Sequence, residues 1–403
     1  MSRDKPIPQT DPLAGYRDQA AAIDAAVARV LHGGRYILGE EVAAFEREFA
    51  EVLGARHAVG VASGTDALVL GLKALGVGPG DGVATVSHTA VATVAAIELT
   101  GATPILVDVD PTSFTMCVAD LEAMLDRPPL PVKAVIPVHL YGHPADLPRI
   151  LALASRHGAA VLEDAAQAHG AELDGRRVGN WGALAAFSFY PTKNLGAFGD
   201  AGAVVANDDD LAARIRSLRE YGWRERYVSD VAGANSRLDE LQAAILRVKL
   251  ARLEADNGRR RAIAQAYAEG LAGLPLILPG EGPTARHVYH QYVVRTPGRD
   301  PVRAGLAERG IGSAVHYPLP VHLQPAYRGR LPTGPARLAV TEAIAPEILS
   351  LPIYPQLRLT AVAQVTDALR TILGGEPTSP QRRGVLVDEP EGAIDRALDL
   401  RKG

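Results

Sequence analysis

The stretch FSFYPTKNLGAFGDAGAVV, residues 187–205, decides how this chain is read. Phe187 and Phe189 alternate with Ser188 and run into Tyr190-Pro191, which predicts a short strand closed by a turn, because proline cannot donate to a ladder. Lys193 follows, among Ser188, Thr192, Asn194 and glycines 196, 199 and 202, with the apolar run Ala203 to Ala206 behind it. The chain therefore turns tightly and returns into the core. A lysine held there loses hydration, its ammonium form is disfavoured, and the free amine becomes available for Schiff-base chemistry. A lysine that merely snorkels from a loop would leave the same local text, so the assignment depends on other stretches.

VLEDAAQAHG, residues 161–170, is the second anchor, an apolar strand ending in Asp164 with Gln167 and His169 close behind. One further strand separates Asp164 from Lys193, so both side chains can reach one cleft from neighbouring strands. In HAVGVASGTDALVLGLKALGVGPGD, a short strand to Val61 leads through Ser63-Gly64-Thr65-Asp66 into a helix. A helix start built of small residues leaves backbone N–H groups free for an anion, although plain capping by Ser63 or Thr65 explains the same residues. A lysine, a strand-end carboxylate and a phosphate cradle together meet the needs of pyridoxal phosphate, in which the lysine takes the aldehyde and the acid keeps the pyridine nitrogen protonated. No metal is expected, since no second acidic or histidine cluster has ligand spacing and His139 and His169 read as buried histidines. GVGPGD at 76–81 fails the dinucleotide fingerprint at its last position.

Composition sets the bounds. The chain has 403 residues, 47% hydrophobic and 22% charged, enough for a large core and two domains. A net charge of −4 gives no reason to expect nucleic acid as a partner, and Arg259-Arg260-Arg261 reads as a solvated helix face. The single cysteine, Cys117, excludes an internal disulfide, and the first residues carry no apolar signal core, which together predict a cytoplasmic protein. Val83 to Val109, the most apolar region, is broken by His88, Glu98, Gly101 and Pro104, so no membrane helix is expected.

Along the chain, helices are predicted at 18–31 and 39–53, and strands and helices then alternate to residue 206, which predicts an α/β fold with a mostly parallel sheet and polar residues gathered at the strands' carboxyl ends. His88-Thr89, Asp108, His139 and Glu163-Asp164 fall at such ends. A single helix is predicted from Leu238 to about Asp256 and a strand over 286–295. The expected organisation is a large cofactor-binding α/β domain over 1–237 with N-terminal helices, a small α+β domain over 238–375, and a poorly ordered tail over 376–403 holding at most a short helix near 394–400.

SGTDAL, VLEDAAQAHG, FSFYPTKNLGAFGDAGAVV, GANSRLDELQAAIL (233–246), HYPLPVHLQPAY (316–327) and LSLPIYP together strongly resemble the DegT/DnrJ/StrS family of pyridoxal-phosphate sugar aminotransferases, from about residue 10 to 373. The resemblance implies fold type I and a homodimer with its active sites at the subunit interface. Carried onto matching positions, it makes Lys193 the Schiff-base lysine, Asp164 the pyridine-nitrogen partner and Gln167 a contact to the ring hydroxyl. Gly64, Thr65 and Ser188 would hold the phosphate, Asn235 would reach the partner's phosphate, and His316, Tyr317 and His322 would lie at the sugar-nucleotide end. The family usually stacks an aromatic residue on the cofactor ring where this chain has Ala90, so either His88 or another group supplies that contact or the ring is held less tightly. Dehydratases of the family carry histidine at the Schiff-base position, which disfavours deoxygenation here. The wording SHTAVATVAAIE, FTM and VHLYGHPADL resembles the branch that aminates dTDP-linked 3-keto-6-deoxyhexoses in desosamine, mycaminose and daunosamine pathways, with glutamate as the expected donor. Family members acting on a 4-ketosugar, a keto-inositol or an aminobenzoate precursor, and a cofactor-binding regulatory protein, are the alternatives.

Overall fold

The computed structural model describes residues 6–374; the expectations for the 376–403 tail lie outside them. Seven strands make the central sheet: β1 His57–Val61, β2 Gly82–Val86, β3 Thr103–Val107, β4 Val132–Val135, β5 Ala160–Asp164, β6 Leu184–Ser188 and β7 Gly202–Ala206. Their order is β1-β7-β6-β5-β4-β2-β3. β7 runs antiparallel to both neighbours and every other pair is parallel. Six strands thus deliver their carboxyl ends to one edge, where helix-first crossovers leave loops free for function. The mostly parallel α/β sheet is the one expected.

Side chains alternate across the sheet, and the two faces build different cores. Ala185 and Phe187 of β6 pack with Phe45, Phe49 and Phe189 on one face. Leu184 and Ala186 pack with Val59, Leu68 and Leu72 on the other, against the helix Gly64–Ala74. The four phenylalanines stand 5.0 to 5.5 Å apart between ring centroids. Such pairs add about 0.5–1.5 kcal/mol each beyond their buried area, so the strand that leads into the lysine turn has a stiff floor.

Two helices replace the single one expected over 238–256. Glu240–Leu250 is followed, across a break at Ala251-Arg252, by Leu253–Gly270. The break lets Leu253 join the phenylalanine core while Ile263 and Tyr267 enter a separate C-terminal cluster with Ile7, Leu306, Leu349 and Val365. That cluster surrounds an antiparallel pair, β8 Tyr292–Arg295 and β9 Ile348–Leu351. The predicted strand over 286–295 is therefore real only at its end and at a short piece, Ala285–Arg286. Between them the backbone bonds sideways: His287 N–H donates to Glu281 and Val288 N–H to the Gly142 carbonyl. Arg260 also departs from the expected solvated face. It is 4% exposed, and its guanidinium donates to the carbonyls of Tyr289, His290 and Ile353, a tie across the chain that no local charge pattern announces.

Candidate active site

Register brings the site's elements together. Gly202 at the start of β7 pairs with Val61 on one side and Ser188 on the other. The loop after β1 and the loop after β6 therefore meet. A Cβ on Gly64 would stand 2.5 Å from that of Ser188, and one on Gly202 would stand 2.3 Å from the Ser63 carbonyl oxygen, so only glycine permits this approach. Ser63 caps the helix by accepting from Asp66 N–H at 3.1 Å. The N–H groups of Gly64 and Thr65 have no acceptor among the described residues, which leaves two donors and the positive end of an 11-residue helix beside the Ser188 hydroxyl.

Asp164 ends β5, paired in register with Ala186 of β6. It shares the face of Leu162 and Ala186 by alternation, the face that the Gly64–Ala74 helix covers. The carboxylate is 5% exposed and accepts from the Thr93 hydroxyl at 2.8 Å and Ala166 N–H at 3.2 Å. Burial pushes its pKa up, against the opposing pull of Thr93, Ala166 and the charge on Lys193. Lys193 lies in the turn after Tyr190, its N–H donating to the Tyr190 carbonyl. Loss of hydration brings its amine down to about 8, with Asp164 pulling the other way. At that value roughly a tenth of the amine is neutral at pH 7, against about 0.03% for an ordinary lysine.

Gln167 is fixed from two sides, accepting from Tyr141 N–H at 2.7 Å and donating to the Tyr317 hydroxyl at 3.2 Å. Tyr141, a residue sequence reasoning gave no role, is the hinge of this corner. Its hydroxyl donates to the His316 carbonyl and so accepts from His88 Nε2–H at 2.9 Å. His88 is 1% exposed, edge-on to Tyr141 and beside Phe114. The structure thus ties its ring to these two aromatics and gives no support to a stacking role in place of Ala90. His316 Nδ1 meets the Ser350 hydroxyl at 2.8 Å, and burial lowers its pKa to about 4, with Lys193 adding to the effect, so it is a neutral imidazole at pH 7. His322 stands farther out, between Ser87 at 2.7 Å and Glu342 at 3.0 Å. Asn235 is exposed, and its side chain has no hydrogen-bond partner among the described residues. Its neighbour Ser236 donates to Asp66 at 2.7 Å, which pins the GANSR loop behind the cradle.

Two strand-end groups expected near the site serve the scaffold. Asp108 accepts from Val340 N–H, Thr341 N–H and the Thr341 hydroxyl, capping the helix Ala339–Ile344. His139 donates to Glu163. Thr93 was missed because a threonine in a helix's first turn carries no signal of what stands opposite it.

The donors fit pyridoxal phosphate: an amine without an ion-pair partner among the described residues, an under-bonded acid on the next strand, and a glycine cradle with free N–H groups. The comparisons agree. Residues 17–370 match the DegT/DnrJ/EryC1/StrS aminotransferase family. A dTDP-3-amino-3,4,6-trideoxy-α-D-glucose transaminase of Streptomyces venezuelae is 50% identical over 90% of this chain and 95% of the relative. A UDP-N-acetyl-3-dehydro-α-D-glucosamine 3-aminotransferase of Acidithiobacillus ferrooxidans is 44% identical over 93% of this chain and 100% of the relative. The crystal structure of S. venezuelae DesV in complex with a ketimine intermediate superposes with a TM-score of 0.88 at 49% identity, covering 93% of this chain and 100% of that one. The cleft at the ends of β1, β5 and β6 is thus found in a chain that belongs to the DegT/DnrJ/EryC1/StrS family of pyridoxal-phosphate-dependent aminotransferases.

Proposed function

We propose that this chain moves an amino group from an amino acid, with glutamate the expected donor, to the keto carbon of a dTDP-linked 3-keto-6-deoxyhexose, and that it does so as a homodimer. The observation that carries the reading is Asp164 at the end of β5 and Lys193 in the turn that follows the adjacent β6, beside the Gly64/Ser188 cradle, in a chain half identical to a dTDP-sugar transaminase. When bound, pyridoxal phosphate supplies a ring that withdraws electrons from the amino acid's α-carbon. Gly64 and Thr65 N–H and the Ser188 hydroxyl would hold the phosphate. Asp164 would hold the pyridine nitrogen in its protonated form, which its few hydrogen bonds leave it free to do. Gln167, clamped by Tyr141 and Tyr317, would meet the ring hydroxyl. Lys193 would anchor the cofactor, and its neutral amine would be the group that holds and moves the proton at the donor's α-carbon. His316, Tyr317 and His322 line the sugar-nucleotide end.

The dimer rests on surface chemistry. Tyr36 and Ile37, and in the 221–231 stretch Tyr221, Tyr227, Val228 and Val231, are exposed large apolar side chains that a second copy would cover. Asn235 borders the 221–231 loop, exposed, while Ser236 is tied to its own chain's cradle. Asn235 reaching a second copy's phosphate satisfies both facts.

Incubation with glutamate and a panel of nucleotide ketosugars tests the reading. It predicts 2-oxoglutarate and a 3-amino product from the dTDP-linked 3-keto-6-deoxyhexose. Turnover confined to a UDP-linked 3-keto-N-acetylglucosamine, which the 44% identical relative favours as the second reading, would move the substrate class, and no turnover with any ketosugar would remove it.

A further inference from the structure

Asn257 lies on the helix Leu253–Gly270, is 0% exposed, and touches neither strand end that bears the chemistry. Its one amide nevertheless joins two turns. The side-chain Nδ2 donates to the His169 carbonyl at 2.8 Å, in the turn that follows Asp164 and Gln167. The Oδ1 accepts from Asn194 Nδ2 at 2.8 Å, in the residue next to Lys193. Asn194 is held further by the Val288 carbonyl at 3.0 Å and by His290 Nδ1 at 3.3 Å. The fit is close on the other side as well: a Cβ on Gly170, whose φ is +83°, would come within 2.7 Å of Asn257 Nδ2.

We infer that Asn257 is a positioning residue: through Asn194 and the His169 carbonyl it sets where Lys193 stands relative to Asp164 and Gln167. No other residue type of this size offers a donor and an acceptor to both turns. Aspartate loses the donor to His169, and leucine leaves a buried carbonyl and amide unpaired. The same helix carries Ile263 and Tyr267 into the C-terminal cluster, so the tie also joins the lysine turn to that half of the chain. Shifts of about 1 Å in a reacting group cost on the order of a hundredfold in rate, which makes such a tie consequential.

The inference rests on Lys193 being the cofactor lysine, and its test is made on the full-length chain freed of cofactor by dialysis with hydroxylamine. Trace labelling with acetic anhydride across a pH series, read on the Lys193 peptide by mass spectrometry, gives the amine's titration midpoint. For the unaltered chain it is expected near 8. Asn257→Ala loosens the turn, admits water to the amine and moves the midpoint up by about one unit or more toward the ordinary lysine value. Asn194→Ala does the same, and the double variant moves it by less than the sum of the two single shifts, because the two residues share the Asn257–Asn194 bond. Ile263→Val, on the same helix, lowers Tm and leaves the midpoint in place. A folded Asn257→Ala with an unmoved midpoint, or an equal shift in Ile263→Val, would overturn the inference. Should Asn257→Ala not fold, Asn257→Ser carries the same two outcomes. An ordinary midpoint in the unaltered chain would remove the reading of Lys193 itself, and this inference with it.

Discussion

The two faces of the sheet at the end of β5 carry the same chemistry in opposite states. Glu163 and Asp164 are neighbours and both are buried, yet alternation sends them to opposite sides. Glu163 is saturated: Gly179, Trp181 and Gly182 N–H groups donate at 2.7 to 2.8 Å, and His139 donates at 3.2 Å while its Nδ1 accepts from Ala145. Burial pushes Glu163 up, but His139 and those N–H groups outweigh it and hold the carboxyl below its ordinary value. Asp164, with two hydrogen bonds, is pushed up. The lysines repeat the contrast. Lys249 is also brought down to about 8 by burial, but its amine donates to the Gly196 carbonyl and lies 5.1 Å from the Phe198 ring centroid, whereas Lys193 has no such partner among the described residues. A shifted pKa therefore does not distinguish site from scaffold here. Unfinished hydrogen bonding does.

The largest break in that contrast is at the lysines. Lys193→Ala is expected to retain some cofactor through the Gly64/Ser188 cradle and to lose turnover by several orders of magnitude, since nucleophile and proton carrier go together. Near-normal turnover in steady-state assays would refute its role. The carboxylates come next. Asp164→Asn removes the charge proposed to face the pyridine nitrogen and should slow the single-turnover half-reaction with glutamate, the proposed donor, by about 10²-fold, corresponding to about 3 kcal/mol, while the protein stays folded. Glu163→Gln should do the reverse, costing about 3 kcal/mol of stability through a broken buried network and leaving single-turnover rates nearly unchanged in what remains folded. Denaturant melts and stopped-flow traces on both variants would show whether the two faces differ as described.

A smaller effect sharpens the comparison between a chain and its second copy. If the chain is the proposed dimer with Asn235 crossing over, mixed Lys193→Ala and Asn235→Ala chains are expected to give heterodimers with one site bearing both lesions and one bearing neither, so that part of the activity returns. Proven subunit exchange without recovery would place Asn235 in its own chain's site. The smallest effect is thermodynamic. Below about pH 8 Lys193 carries its ammonium in both folded and unfolded chains, so the desolvation cost is fully present, and it is relieved as pH rises from about 8 toward 10.5. Lys193→Met should accordingly raise the Tm of the cofactor-free protein by a few degrees, on the order of 1–2 kcal/mol after solvent screening, below pH 8, with the gain shrinking at higher pH. A gain that grows with pH in calorimetry would contradict the buried-amine reading.

Most of the sheet and the pair Lys193/Asp164 were legible because each strand is a short apolar run ending in a polar residue, a pattern that local text carries. The break at Ala251-Arg252 was not, because both halves keep helical spacing and only the separation of two cores, one taking Leu253 and the other Ile263, dictates it. Arg260 was misread for a related reason, since its carbonyl partners lie far along the chain. Glu163 and Asp164 stand side by side in VLEDAAQAHG, and the side on which each falls follows from alternation, but which one is left short of partners depends on loops at 139 and 179–182. Asn257 and Tyr141 share that difficulty: each draws its role from residues remote in sequence.

Hydrogen-bond satisfaction, and not the depressed pKa shared by the two half-buried lysines, selects the lysine that takes the cofactor. Borohydride reduction of the purified, cofactor-loaded protein, followed by digestion and mass spectrometry of the lysine peptides, tests this directly. The cofactor is expected on Lys193 and not on Lys249; modification of Lys249, or of any other lysine in place of Lys193, would refute the selection by hydrogen bonding.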